Sequence, residues 1–458
     1  VTRHAEALGF RARLDAFRMH LAEPVDGASV GFFRVAFGLL LAVAAARFFV
    51  HGWIDKYYST PKVFFSYWGF SWVKPLPGIG MPIVYATMGL SALGLAWGRW
   101  HRLFAASTLA TFTFAHLSDK TNYLNHYYLV TLVLGLLVVL PVGVERRASG
   151  FAAASVPRAT LWLLRFQIGC VYFFGGVAKL KGDWLFHAQP LGIWLSSNAG
   201  MAVLGPLLAY KATAFVMSWA GAAYDLTVPF FLSFRRTRPF AYVAVVVFHV
   251  LTAKLFQIGM FPWIMIASSM LFMDASWPRS VPGLKKLVGE RAPVEVAPEP
   301  FHVSPPVFTV LIAYVALQVL LPVRHFLYPG NVLWTEDGFR FAWNVMLIEK
   351  NGSLELEVKD PATGRKWTVE PDDYLTPQQG KQMSTQPDMI LQFAHIVRDD
   401  FAARGIPGVE IRASQSDVSL NGRRPERLVD PNVDLAREED TIGPKRFVLP
   451  APTSAPLL

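Results

Sequence analysis

Nine apolar runs, each near the roughly 20 residues that a helix needs to cross a hydrocarbon layer, constrain this chain more than any other feature. They cover residues 28–50, 79–97, 103–117, 127–142, 160–178, 206–232, 239–253, 255–273 and 306–322. The shorter runs need flanking polar residues or tilted neighbours to span. Only 17% of the 458 residues are charged, while 53% are hydrophobic and 14% aromatic. An ordinary soluble domain carries about 25% charged residues, and here the deficit is confined to the first two-thirds. From about Arg324 the composition turns polar. The expected fold is therefore an all-α polytopic membrane domain of about nine transmembrane helices, followed by a small α+β extracytoplasmic domain. The expected divisions are an amphipathic segment over 1–27, the membrane domain over 28–322, and the α+β domain with a Pro-rich tail over 323–458. In the first segment Phe10, Leu14, Phe17 and Leu21 oppose Arg11, Arg13 and Arg18. No cleavable signal is expected, because the 28–50 run is too long for an h-region.

The formal net charge of +10 raises the question of nucleic acid. No basic stripe interleaved with exposed aromatics is present, which argues against it. Much of the Lys and Arg sits instead in short links between apolar runs, with basic clusters in 99–102, 146–158, 235–238 and 279–291, on every second connection. That alternation, together with the Arg-bearing N-terminus, is the positive-inside pattern. It predicts that these links are cytoplasmic and that the intervening links, with everything after 322, face the other side. The single cysteine, Cys170, lies within an apolar run, so no intrachain disulfide can form.

In the C-terminal part, 340–347 and 354–359 alternate as strands. Asp360-Pro361-Ala362-Thr363-Gly364 has turn chemistry before 366–370. Helical spacing of Ile390, Phe393, Ala394, Val397 and Phe401 predicts a helix over 388–403. Residues 409–420 return to strand, and Asn421-Gly422 is a turn.

Three stretches on the predicted outer side carry reactive groups: 119–126, 175–184, and His249 with Lys254 and Gln257. Each has a plainer reading. Lys179 and Lys181 can snorkel from a helix end to the headgroups, and Trp184 suits an interfacial belt. Asn125 and His126 can cap a span. Against that, ionisable groups within membrane spans are functional more often than elsewhere. Arg34, Arg165 and Asp225 lie inside spans at similar counted depth, so a structural ion-pair network among them is expected. No H-E-x-x-H, Walker or G-x-G-x-x-G pattern occurs, so metal and nucleotide chemistry are not expected.

The segments 119–129 (DKTNYLNHYYL), 172–184 (YFFGGVAKLKGDW), 248–272 (FHVLTAKLFQIGMFPWIMIASSMLF) and 334–347 (WTEDGFRFAWNVML) resemble the vitamin K-dependent γ-glutamyl carboxylase family. So does the stretch from Phe393 through Asp430-Pro431-Asn432-Val433-Asp434. The resemblance runs from about Phe32 to Asp434. It implies an enzyme that oxidises vitamin K hydroquinone (phylloquinol or menaquinol) with O2 to its epoxide and uses the strong base so formed to carboxylate peptide Glu with CO2. It also implies a Glu-containing protein or peptide partner, alongside the lipid bilayer. The family's catalytic base falls on Lys179, and the His that assists at the glutamyl carbon falls on His126. The quinone-binding set is expected to comprise Asn125, Lys181, His249 and Phe173.

Elementary chemistry fits those roles. A Glu γ-carbon is too weak an acid for an amine to deprotonate, whereas a hydroquinone is acidic enough for a neutral amine. Apolar neighbours such as Phe173, Phe174 and Val177, with a second cation at Lys181, are expected to favour that neutral form. A dry membrane pocket would shield the reactive species. The chain departs from the animal enzymes in carrying Ala178-Lys179 where they have two lysines, in lacking the family's disulfide, and in its shorter C-terminal region. It resembles a microbial-type member. Two other functions stay open at this point: a quinol epoxidase without protein carboxylation, and a non-catalytic membrane scaffold.

Overall fold

A computed structural model describes residues 2–142, 144–147, 150–153, 155–256, 258–288 and 301–457. Gln257, parts of the 146–158 and 279–291 links, and the side chains of Phe10 and Arg11 lie outside the described residues. The helices begin with α1 (Thr2–Ala22), α2 (Ala28–Val50), α3 (Gly80–Trp97), α4 (His101–Leu117), α5 (Asn125–Val139) and α6 (Arg158–Ala178). Three short helices follow, α7 (Gly182–His187), α8 (Leu191–Ser196) and α9 (Gly205–Leu208). The bundle is completed by α10 (Lys211–Ser233), α11 (Arg238–Phe256), α12 (Phe261–Ser269), α13 (Pro282–Val288) and α14 (Pro305–Val323).

Every apolar run thus becomes helix, as it must where lipid offers the backbone no hydrogen-bond partner. Six of them, α2, α3, α6, α10, α11 and α14, are long and apolar enough to cross a membrane; α4, α5 and α12 are shorter. The break between α11 and α12 falls at Gly259, whose φ of +62° is left-handed, and Pro262 occupies the first turn of α12. The run beginning at Pro206 opens with the separate helix α9, so its long helix starts only at Lys211.

The described parts of the basic links gather at one end of the bundle. There Arg279 meets Asp26 at 2.8 Å, Arg238 meets Asp274 at 2.9 Å, and the strand Pro24–Asp26 pairs with Ser155–Pro157. The C-terminal domain covers the opposite end. It holds the short helix α15 (Val332–Thr335), two helices α16 (Pro377–Met383) and α17 (Pro387–Ala403), and two three-stranded antiparallel sheets. One sheet orders Lys366–Val369, Glu355–Lys359 and Glu410–Gln415. The other orders Glu426–Arg427, Asp417–Leu420 and Lys350–Gly352. Leu356 and Val358 point inward against Ala413 and Ile411, while α17 buries Ile390, Phe393 and Val397. One apolar core runs without interruption from Phe65, Trp184 and Leu195 at the bundle end to Trp334, Phe393 and Val397.

Two expectations are corrected. Residues 340–347 are not a strand: they turn with left-handed φ at Phe341, Trp343 and Met346. Ala342, Trp343, Asn344 and Leu347 are all buried, so the alternation has no solvent face to serve, and Trp343 joins the bundle core. The network of Arg34, Arg165 and Asp225 does not form either. Arg34 donates to the last-turn carbonyls of α3, Leu95 and Ala96, under Gly98, where a Cβ would sit 2.5 Å from the guanidinium. Arg165 donates to Leu271 and Met273 carbonyls at 2.6 and 2.7 Å. Each arginine thus donates to the negative end of a helix. Asp225 pairs with Lys179. Residue counting reports depth but not the face of a helix.

At the domain junction Asp388 accepts from both Lys120 and Arg340 at 2.7 Å. Burial raises the Asp388 carboxyl, but Arg340 and Lys120 outweigh it and hold the group well below the usual carboxylate range. Burial pulls the Lys120 ammonium down, with Asp388 opposing. Asp388→Ala should cost on the order of 3–5 kcal/mol by leaving two cations buried, read as a lower melting temperature of the purified protein. Because the folded carboxyl lies below its unfolded value of about 3.9, this contribution is complete above that pH and fades only as pH falls below it. The difference between wild type and variant should therefore stay flat from about pH 8 to pH 5; a difference that shrinks across that range contradicts the assignment.

Candidate active site

Lys179 caps the end of α6, its main-chain N–H donating to the Gly176 carbonyl at 3.0 Å. Gly176 lets α10 come close: a Cβ there would lie 2.7 Å from the Leu226 nitrogen. That approach brings Asp225 to Lys179, with Nζ donating to Oδ2 at 2.8 Å and to the Gly175 carbonyl at 3.2 Å. The residues are 5% and 7% exposed, so each ion depends on the other for its solvation. The ammonium also lies 5.3 Å from the centre of the Trp184 ring, and Trp184 is fixed by donating to the Ser218 carbonyl at 2.7 Å. Pro229 lacks an N–H and leaves the Asp225 carbonyl without its helical donor.

The expected second cation, Lys181, is not the partner of Lys179. Burial pushes the Lys181 ammonium down to about 8, with Asp183 opposing. Asp183 belongs to the docking contact: burial raises its carboxyl, but Arg423 at 2.8 Å and Asn421 at 2.9 Å hold it below the usual range.

A cavity of about 860 Å³ opens between α2, α3, α4, α5 and the junction of α11 with α12, closed on one side by Val345 and Met346. Its walls are mostly apolar, from Phe48, Met88, Phe112, Val130, Phe261 and Ile264. A π-helical turn, Asp55–Ser59, supplies Tyr57 and Tyr58, the latter bonded to Tyr85 at 3.0 Å. The other polar groups are few: Arg47, Lys254, His116, Asn122, Asn125, His126 and Tyr127, with the indoles of Trp53 and Trp263. Asn125 accepts from the Tyr123 hydroxyl at 3.0 Å and donates to the Asn344 carbonyl at 3.1 Å. The His126 ring is held between Tyr127 and Phe261, with centres 4.7 and 5.7 Å away. A few polar groups on an apolar wall is the usual design of a small-molecule site.

Of the expected residues, Asn125 and His126 lie on this wall, and Lys254 with them. Lys179, Lys181, Phe173 and His249 do not. His249 stands behind the wall, its Nε2 3.0 Å from the Tyr172 hydroxyl, which also meets Ser269 Oγ at 3.0 Å. Its ring packs edge-on against Phe261, which also meets the cavity residue His126. Phe173 sits edge-on to Phe174 and Phe230. One segment touches both regions: Val345 and Met346 line the cavity, and the Trp343 carbonyl is 3.9 Å from the Cβ position of Gly175. Met346 also lines a smaller cavity of about 310 Å³ at the domain junction, where Lys120, Arg340, Lys350 and Lys381 outnumber Glu336 and Glu349. Sequence reasoning missed His116 and Tyr58. His116 could have been suspected as the last ionisable group of its span, three residues before Asp119.

Two family models match the chain. An HTTM domain covers residues 22–277, and the lumenal domain of vitamin K-dependent gamma-carboxylase covers residues 303–454. No solved structure matches it.

The buried pair predicts strong non-additivity. Lys179→Ala and Asp225→Ala should each lower stability by about 3–5 kcal/mol, because each leaves one buried ion alone. The double variant should lose clearly less than the sum of the two, as measured by thermal melting in detergent. Additive losses would mean that the two side chains do not interact in the folded protein.

Proposed function

The chain belongs to the vitamin K-dependent gamma-carboxylase family, and we propose that it oxidises a reduced naphthoquinone with O2 and couples that oxidation to carboxylation of peptide Glu. The observation that carries this reading is the large apolar cavity bearing Asn125 and His126 on its wall. Its size and lining suit a fused aromatic ring with a prenyl or phytyl tail. When bound, the quinol supplies the oxidisable group whose reaction with O2 generates a base strong enough for a Glu γ-proton.

The chain's own residues would do the rest. Asn125 and His126 are assigned to holding a quinol oxygen, with Tyr123 and the Asn344 carbonyl fixing the Asn125 amide. The apolar wall excludes water from the reacting groups. Lys179 is assigned as the base that takes a quinol proton: Asp225 accepts from Nζ, and passing the ammonium proton to that carboxylate would first leave Nζ as the neutral amine the step requires. To meet a hydroxyl in the cavity, Nζ must leave Asp225 or the Trp343–Met346 turn must shift. The left-handed backbone at Trp343 and Met346 marks that turn as strained. His249 would act from behind the wall by fixing Phe261, and Phe173 by packing on Phe174 and Phe230. The cationic cavity at the domain junction suits an acidic peptide and adjoins the quinol cavity at Met346. We further propose that this end of the bundle, with the C-terminal domain, faces the non-cytoplasmic side, since the basic links collect at the other.

Purified protein in nanodiscs, given phylloquinol, O2, labelled CO2 and a Glu peptide, should produce epoxide and labelled peptide together. Lys179→Ala should abolish both near neutral pH, and His126→Ala should reduce carboxylation more than epoxidation. A Lys179→Ala protein that epoxidises at the wild-type rate eliminates the assignment of the base. Epoxide without labelled peptide identifies a quinol epoxidase instead. For topology, cysteines placed at Asn122 and Gly182 should react with an impermeant reagent only from the non-cytoplasmic face, and labelling from the cytoplasm overturns the orientation.

A further inference from the structure

His116 closes α4 and is 8% exposed, yet neither of its ring nitrogens has a protein partner. Aromatic rings surround it: Phe112, Tyr123 and Tyr127 at 6.4, 5.9 and 5.2 Å, and Tyr67 at 6.0 Å. Its ring lines the cavity beside Asn125 and His126, and the two nitrogens, themselves covered, come to a ligand there by a turn of the ring. A buried imidazole always carries at least one N–H, and an unmet donor or acceptor in such a place costs about 1–3 kcal/mol. Native proteins keep such groups rarely, and a bound ligand that satisfies them is a standard reason.

Position decides what that ligand is. His116 and His126 pack edge-on against the same ring, Tyr127, at 5.2 and 4.7 Å, so the cavity wall presents two imidazoles beside one phenol. A hydroquinone has the matching form: a flat apolar ring with an oxygen at each of two opposite positions. We propose that His116 is the second polar anchor of the quinol, taking the oxygen opposite to the one held by Asn125 and His126. This rests on the naphthoquinol reading above. His116 has no proton to move in the reaction. Its part is orientation, fixing which oxygen of the ring faces the Trp343–Met346 turn and Lys179 beyond it.

The test uses the full chain in nanodiscs and phylloquinol as probe, with binding read from quenching of the tryptophans, two of which, Trp53 and Trp263, line the cavity. His116→Phe should weaken phylloquinol binding about tenfold, the worth of one well-made hydrogen bond to a buried group. His116→Gln, which keeps a donor and an acceptor, should recover part of it. The ligand-free His116→Phe protein should melt at or above the wild-type temperature, because an apolar ring replaces two unmet polar atoms. The dimethyl ether of phylloquinol, which has no hydroxyl to donate, should bind wild type and His116→Gln with a smaller advantage over His116→Phe. Lost affinity together with lost stability would make His116 merely structural and overturn the proposal. Unchanged affinity in His116→Phe would overturn it while leaving the naphthoquinol reading intact. A wild-type protein that does not bind phylloquinol would overturn both.

Discussion

Between α6 and α10 an ammonium and a carboxylate face each other in surroundings that offer neither of them water. Neither ion is tolerable alone, so everything that brings them together is constrained. Glycine is required at position 176 because the α10 backbone passes where a side chain would stand. Trp184 must cover the pair, and Ser218 must hold Trp184, with its hydroxyl returning a bond to the Trp184 carbonyl at 2.5 Å. The loop and short helix that follow α6 are thereby pinned to α10, and through Asp183 to Arg423 and the C-terminal domain. One ion pair inside the bundle therefore sets the platform on which the second domain rests.

That dependence also explains how two chemically different compartments can adjoin. The larger cavity is walled by rings and aliphatic groups, whereas the smaller one is lined by cations held in place by acids of the C-terminal domain. Lys350, for example, is fixed by Glu336 at 2.9 Å and by the Trp334 and Thr385 carbonyls. A single turn of chain separates the compartments, and Met346, unbranched and adaptable, is the side chain exposed to both.

Much of this was legible from the order of residues. The run 28–50 coincides with α2, and the strand at 354–359 and the helix at 388–403 fall where their spacing indicated. Those signals are local: hydropathy and periodicity are properties of neighbours along the chain. Asn125 and His126 could be singled out because they open a span beside a polar link. What was hidden depends on azimuth and on contacts between distant segments. Arg34 and Asp225 were both recognisable as costly charges, but the partner of each is fixed by which face its helix turns, and the arginine's partners are main-chain carbonyls that no side-chain pattern advertises. The strand expected at 340–347 failed for a related reason, since its apolar residues answer to the bundle rather than to a sheet.

Trp343, 1% exposed, belongs to the core of the membrane bundle although the chain reaches it only after the last of the apolar helices. During synthesis, a nascent chain that has already inserted every helix still has an unfilled gap where that indole will go. The membrane domain therefore finishes folding from outside itself, and only once the polar segment beyond α14 has been made and has turned back into it. The wall of the large apolar cavity formed by Val345 and Met346 arrives in the same event. Assembly of that cavity is thus tied to completion of the second domain, so a partly made chain has neither a filled bundle nor a walled cavity.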